Sequence, residues 1–401
     1  MTEPYPGTGM STCRNCHRKA VHPAFCDLGF QPFANSYLTK AQLSEPEITY
    51  PLVPFICEKC GLVQLPSFTP PSDIFSEYAY FSGQSADWVK HLEDFAEKIV
   101  PKLNLTKDSH VLEVASNDGA LLRILRDMKI PALGVEPAEN IALAANLEGL
   151  ATIPEFMGLA LAHKMRSGFS ADLIVADNVM AHVPDLDDFL GGIEMLLAPD
   201  GTFVVEFPDL GNLVKDNQFD TIYHEHFSYF SKISAMDALS RRGFVVYDVE
   251  QLPTHGGSLR IYAHRRSLSQ GISNSLPPPE SHLTFASKPP ELKQAFLYKL
   301  VDLKRQGKRI AGYGAPAKGN TMLNYAGIRS DLINYVVDST PAKQDKYLPG
   351  SRIPIKKPEY LDEDKPDAIV ILPWNWTPEI VKKLEHARKW GAIILSRTQE
   401  V

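Results

Sequence analysis

Two Cys-x-x-Cys pairs, Cys13/Cys16 and Cys57/Cys60, constrain the start of this chain more than any other feature. Two such knuckles aim four thiolates at one point, the number that closes a tetrahedral zinc site. Gly61, directly after Cys60, suits the tight turn beyond the second knuckle. The intervening 40 residues are too many for a short zinc ribbon and must carry structure of their own. Four thiolates leave no open position for water or substrate, so the zinc expected here is structural. His17 and His22 are surplus as ligands, and Cys26, the fifth cysteine, reads as a small buried apolar residue.

Cysteines used as ligands rather than disulfides fit a compartment that keeps thiols reduced. Met1 to Ser11 is polar and lacks the basic start and apolar stretch of a secretion signal. No apolar run approaches the roughly 20 residues of a membrane-spanning helix. A cytoplasmic protein with no membrane partner is therefore expected. A formal net charge of −7 disfavours a nucleic-acid partner, which asks for a basic excess. A few placed cations would still suffice for an anionic small molecule.

A chain of 401 residues exceeds one ordinary core and suggests two or three domains. Residues 1–80 are rich in Cys, Pro and aromatics. From about 85 to 270 strand and helix patterns alternate. Val111–Val114, Ala132–Val135, Leu173–Ala176, Thr202–Phe207 and Ser258–His264 read as strands, with helices over Trp88–Leu103, Ala120–Met128 and Asp187–Leu197. Such alternation predicts a doubly wound, mostly parallel sheet. Ser275–Pro290 carries Pro277, Pro278, Pro279, Pro289 and Pro290 and reads as a linker. A second α/β unit follows, with a helix over Ala295–Gln306 and strands over Arg309–Tyr313, Leu332–Asp338, Ala368–Leu372 and Ala392–Ser396. The expected divisions are residues 1–80, 81–274 and 275–401.

Val-Leu-Glu-Val-Ala-Ser-Asn-Asp-Gly, residues 111–119, ends a strand and opens a helix. A Gly-containing turn with polar side chains lets the backbone approach the methionyl part of S-adenosylmethionine. Glu113, Ser116, Asn117, Asp118 and Gly119 are the expected contacts. The second strand ends in Glu136, where a carboxylate can accept both ribose hydroxyls. The third ends in Asp177 and Asn178, at the carboxyl edge where such sheets bind ligands. Turn, acid and polar strand end together point to a methyltransferase. A nicotinamide site would prefer Gly-x-Gly-x-x-Gly, and Ser116, Asn117 and Asp118 fill that turn instead.

Tyr223-His224-Glu225-His226 is the densest run of ionisable groups. A histidine can take a proton near neutral pH, and an adjacent Glu can hold or tune it. The zinc-helix pattern needs histidines four apart, which argues against a catalytic metal here. His182, just past the Asp177 strand end, is expected in the same cleft, and Tyr78 and Tyr80 divide between packing and the site. In the last block, Ile-Ala-Gly-Tyr-Gly-Ala-Pro-Ala-Lys-Gly-Asn, residues 310–320, follows a strand and leads to a helix. Its glycines allow close approach to a phosphate, and Lys318 adds charge. The spacing departs from a standard dinucleotide fingerprint. Asp338 ends the next strand, where a ribose-binding acid would lie. Trp374 and Trp376 could stack on a base or pack internally.

The four-cysteine module, the Glu-Val-Ala-Ser-Asn-Asp-Gly turn, Tyr-His-Glu-His and Gly-Tyr-Gly-Ala-Pro-Ala-Lys-Gly-Asn together resemble the nucleotide-sugar C-3′-methyltransferases, such as that of tetronitrose biosynthesis. The resemblance spans nearly the whole chain. It implies a monomer with a zinc-binding N-terminal module, a central class I methyltransferase Rossmann-like domain and a C-terminal Rossmann-like α/β domain. It implies a nucleotide-diphosphate-linked 4-keto-6-deoxy sugar as substrate, methylated at C3 through an enolate. By that resemblance His226 is the base. Tyr223, Glu225, His182 and Tyr78 line the catalytic pocket, and Tyr80, His224, Tyr313, Lys318 and Asn320 are candidate substrate contacts. Alternatives from the residues are an O- or N-methyltransferase on another small molecule, or a nicotinamide-dependent oxidoreductase using the C-terminal glycines.

Overall fold

A computed structural model of the chain describes residues 11–19, 22–70, 83, 85–267 and 276–401. Tyr78 and Tyr80 lie outside the described residues, as do the expected domain boundaries at 80 and 274.

The central unit opens with helix α1 (Ala86–Lys102), whose N-cap Ser85 accepts from the Trp88 amide. Leu92, Phe95, Ala96 and Ile99 fall at helical spacing and bury one face of it. Seven strands follow: β1 (Val111–Val114), β2 (Ala132–Val135), β3 (Thr152–Ile153), β4 (Ala171–Asp177), β5 (Leu197–Pro208), β6 (Phe244–Leu252) and β7 (Ser258–Arg265). They lie in the order β6-β7-β5-β4-β1-β2-β3. The strands from β3 to β5 pair in parallel, and β7 inserts antiparallel between β5 and β6. Strand β1 is buried throughout, as a parallel strand covered on both faces must be. The chain leaves β1 for β2 on one side and returns to β4 on the other. That reversal opens a crevice at the carboxyl ends of β1 and β4, where such sheets take ligands.

The C-terminal unit holds a six-stranded sheet built from β8 (Ile310–Tyr313), β9 (Tyr335–Val337), β10 (Ile355–Lys356), β11 (Ala368–Ile371), β12 (Ile393–Ser396) and β13 (Gln399–Glu400). Its order is β10-β9-β8-β11-β12-β13, parallel except for β13. Helix α2 (Ala317–Ala326) leaves the end of β8. The linker expected over Ser275–Pro290 is corrected in its second half. Glu280–Leu283 is helical, and a long helix, α3, runs over Lys288–Arg305 with Pro289 and Pro290 in its first turn. Proline is tolerated there because the first amides have no intrahelical acceptor. Phe285, fully buried, stacks on Phe25 at 4.6 Å between ring centres.

The N-terminal module contributes Phe30–Gln31 paired with Tyr50–Pro51, and a hairpin of Phe55–Ile56 with Val63–Gln64. The third strand of that hairpin sheet is Ser228–Tyr229, from the central unit. The three units share cores. Phe25, Leu52 and Ile56 pack in one cluster with Phe219, Ile222, Phe296 and Leu323. The cysteines join the central core beside Phe230 and Ala235.

Candidate active site

The turn after β1 winds through left-handed backbone at Ala115 (φ 56°), Asn117 (φ 47°) and Gly119 (φ 78°). Ser116 is buried against Gly134, where an added Cβ would come within 2.4 Å of its hydroxyl. Glu136 supports the turn: its two oxygens accept from the amides of Asn117 and Ala138, each at 2.9 Å. The Asp118 carboxylate accepts from the Gly83 amide. Among the described residues, buried acceptors without a hydrogen-bond partner gather at these strand ends. They are Glu113 Oε2, Ser116 Oγ, both Asp177 oxygens and Asn178 Oδ1. Such a set calls for a donor-rich ligand, since a buried unpaired polar atom costs roughly 1–3 kcal/mol. Burial, with Asp177 and Glu136 close by, holds Glu113 well above the usual carboxylate range, and burial beside Glu206 raises Asp177 to about 7. An ammonium, sulfonium or ribose hydroxyl would relieve both.

His226 and His182 meet with ring centres 4.6 Å apart, edge to face. His226 Nδ1 lies 3.0 Å from the Thr221 carbonyl, and His182 Nδ1 lies 2.7 Å from the Glu225 carbonyl. A carbonyl only accepts, so each Nδ1 carries the proton and each Nε2 is the lone-pair nitrogen. Burial, then the neighbouring His182, pushes the His226 pKa well below its ordinary value, and burial lowers His182 to about 4. Both rings are neutral at physiological pH. Tyr223 covers His226 at 4.0 Å between ring centres, with Tyr229 edge-on at 5.8 Å.

Other expected residues are placed elsewhere. His224 is buried among Phe33, Tyr50 and Phe68 of the N-terminal module, and its ring contacts are theirs. Glu225 accepts from the backbone and side-chain nitrogens of Asn35 at 3.2 and 3.3 Å, leaving Oε2 unpartnered. Tyr313 packs with Ile371, Ile380 and Trp376, on the face of its sheet away from the Phe296–Met322 core. Asn320 donates to the Ala34 carbonyl at 2.7 Å, bridging the outer units. Lys318 donates to the Asn375 side-chain oxygen at 2.8 Å. Its ammonium lies 4.8 Å from the centre of the Trp374 ring and near enough to His226 to depress that imidazole, while burial lowers its own pKa to about 8.

The glycine turn after β8 is filled by the protein itself. The Ala315 amide donates to Asp338 at 2.7 Å, and the Ala315 carbonyl accepts from Tyr37 at 2.6 Å and Lys343 at 3.0 Å. A Cβ on Gly314 would come within 2.6 Å of Pro373. Asp338 holds this loop closed rather than standing open for a ribose.

Two cleft groups escaped sequence reading. His255 sits at φ 57° in the turn joining β6 to β7, its Nδ1 buried and unpartnered, its ring edge-on to Trp88. The Gly256-Gly257 pair beside it was the available signal, for both adopt positive φ. Asp220 and Thr221 carry no motif at all. At the N-terminus the four cysteine sulfurs lie within 4.8 Å of one another, Cys13 to Cys60 at 3.6 Å and Cys16 to Cys57 at 3.7 Å. Four ligands at about 2.3 Å from one zinc ion stand roughly 3.8 Å apart in a tetrahedron, so the set fits.

Three family models match consecutive parts of the chain: a zinc binding domain over residues 13–75, a methyltransferase domain over 86–249 and a C-methyltransferase C-terminal domain over 253–397. The chain is 34% identical over 386 residues to the C-methyltransferase NovU of Streptomyces niveus, covering 92% of this chain and 91% of that one. This chain belongs to the C-methyltransferase family. Solved structures similar to part of this C-methyltransferase include an S-adenosylmethionine-dependent methyltransferase from Clostridium acetobutylicum, at 11% identity and a TM-score of 0.36 over 45% of this chain and 92% of that one. Another is the magnesium protoporphyrin IX methyltransferase of Synechocystis, at 16% identity and a TM-score of 0.35 over 45% and 83%. The C-methyltransferase uses S-adenosylmethionine and carries a zinc-binding module. Among its described residues no helix is long and apolar enough to cross a membrane. Family membership sets aside the O- and N-methylating and nicotinamide alternatives.

Proposed function

We propose that this enzyme methylates C3 of a nucleotide-diphosphate-linked 4-keto-6-deoxy sugar, with His226 as the base that forms the enolate. The observation carrying this reading is the orientation of one neutral imidazole. His226 Nδ1–H is held by the Thr221 carbonyl, so Nε2 presents a lone pair beside His182 and Tyr223. Carbon is no nucleophile until a proton next to a carbonyl is removed, and a 4-keto group acidifies the C3 hydrogen enough for an imidazole to take it.

Glu113, Ser116, Asn117, Asp118, Gly119, Glu136, Asp177 and Asn178 would hold S-adenosylmethionine, which when bound would supply an electrophilic methyl group. His226 Nε2 takes the C3 proton, and the bonding electrons move toward the ketone oxygen. That oxygen needs a hydrogen-bond donor. His182 spends its N–H on the Glu225 carbonyl, so the Tyr223 hydroxyl is the donor proposed for that oxygen. Lys318 would be the cation for the diphosphate. The enolate carbon would take the methyl group, a new C–C bond forming as the carbon–sulfur bond of the cofactor breaks.

The reading is tested by incubation with labelled cofactor and a panel of nucleotide-linked 4-keto-6-deoxy sugars. Mass analysis should find one added methyl, and deuterium at C3 should be lost to solvent. His226→Gln should lower turnover roughly 10²–10⁴-fold, with adenosylhomocysteine affinity retained in calorimetry. Methyl on oxygen, or full activity of His226→Gln, would reject it.

A further inference from the structure

The short helical turn Phe219–Thr221, just ahead of His226, is anchored to the C-terminal unit from several sides. Asp220 is 1% exposed. One of its oxygens accepts from the Trp374 indole at 2.5 Å, the other from the Arg397 guanidinium at 3.1 Å. Arg397 also donates to the Asp216 carbonyl at 3.0 Å, and its guanidinium lies over the Trp374 ring, 4.1 Å from the centre. Lys318 stands over the same ring. Thr321 donates to the Ile222 carbonyl at 2.9 Å, and Tyr325 meets Phe219 edge-on. The residue after Asp220 is Thr221, whose carbonyl holds His226 Nδ1.

We propose that Asp220 is a positioning residue: locked to Trp374 and Arg397, it fixes the Thr221 carbonyl and through it the tautomer and aim of the His226 imidazole. This rests on His226 being the base. The C-terminal unit then governs proton abstraction directly. An Asn at this position keeps the shape, but offers one acceptor oxygen to two donors and leaves the Arg397 charge unmatched. The turn loosens, the Nδ1–H bond is lost part of the time, and the ring becomes less deeply buried.

Among the described residues, the charged and titratable groups facing His226 are His182, Lys318, His255, Tyr223 and Tyr229. None is removed by changing Asp220. Losing the negative charge alone would make His226 harder to protonate, whereas freeing the ring makes it easier. The two effects have opposite signs in a pH profile.

The test measures kcat and kcat/KM against pH for the full-length, zinc-loaded enzyme and for Asp220→Asn, Arg397→Lys and His226→Gln. Asp220→Asn should lower kcat at least about tenfold, the order a misplaced catalytic group costs. The KM for S-adenosylmethionine should stay within about twofold. The acid limb of kcat/KM should move up toward the ordinary histidine value of about 6.5. Arg397→Lys, which keeps a cation, should recover most of the rate. An acid limb that stays in place while kcat falls equally at every pH would mean a merely structural role and would overturn the proposal. So would wild-type kinetics in Asp220→Asn alongside an inactive His226→Gln, which leaves the base assignment standing. An active His226→Gln would end both.

Discussion

His224 and His226 are two residues apart and serve different ends. His224 is 2% exposed inside an aromatic cage, with Nε2 3.3 Å from the Pro51 carbonyl, and burial lowers its pKa to about 4. Between pH 6.5 and 4 the unfolded chain binds a proton at this position that the folded chain refuses. Its contribution therefore weakens folding as pH falls through that window. His224→Phe should gain on the wild type by about 3 kcal/mol between pH 7 and pH 4, because the folded imidazole titrates at about 4 rather than near 6.5. Denaturant unfolding at both pH values measures the difference, and an equal gap at both would refute it. The sequence marked this run of ionisable groups but could not separate them. Alternation in a strand would have put His224 and His226 on one face, whereas they lie on an irregular loop of the central unit between Thr221 and Ser228. Glu136 and Asp177 stood out in the sequence because strand ends in a doubly wound sheet are ligand positions. Glu136 shows the limit of that logic, since its oxygens already hold two backbone amides of the cofactor turn.

At the scale of elements, the alternating pattern gave the inner strands of both α/β units, because buried parallel strands read as short apolar runs, but it missed β3, β6, β10 and β13, all at sheet edges. Proline density misled at the start of α3, where two prolines occupy the turn that needs no amides. Pairing of Ser228–Tyr229 with Val63–Gln64 could not be seen, because two-residue strands leave no periodicity. Arg14 shows what that small sheet supports. It lies between the two zinc knuckle cysteines, Cys13 and Cys16, and donates to the carbonyls of Pro184 at 2.8 Å, Leu65 at 3.0 Å and Phe227, the residue after His226. Arg14→Ala should destabilise the fold by about 3 kcal/mol, as several charge-assisted bonds to buried carbonyls disappear together. It should also slow turnover more than it weakens adenosylhomocysteine binding. Loss of both in proportion would show that the strand does not hold the catalytic loop.

At the scale of the molecule, residues 219–230 lie where all three units meet. The N-terminal module grips them through Asn35, Arg14 and the His224 cage, and the C-terminal unit through Thr321, Trp374 and Arg397. The crevice proposed for the cofactor is built, among the described residues, at the strand ends of the central sheet. Removing zinc should therefore separate two properties. After chelation methyl transfer should fall below detection while adenosylhomocysteine still binds, and added zinc should restore turnover. Cofactor binding lost in step with zinc would mean that the central sheet depends on the module as well.

The Ser228–Tyr229 strand has a bearing on how such enzymes can be rebuilt. It is encoded in one unit and completes the sheet of another, so cutting the chain at its obvious joints severs a hydrogen-bonded ladder. A catalytic fragment of residues 86–267 would carry an orphan strand and a bare edge ready to pair with its neighbours. Recombining these proteins to change substrate preference calls for moving the knuckle hairpin and its distant strand together, as one inheritance unit split across the gene.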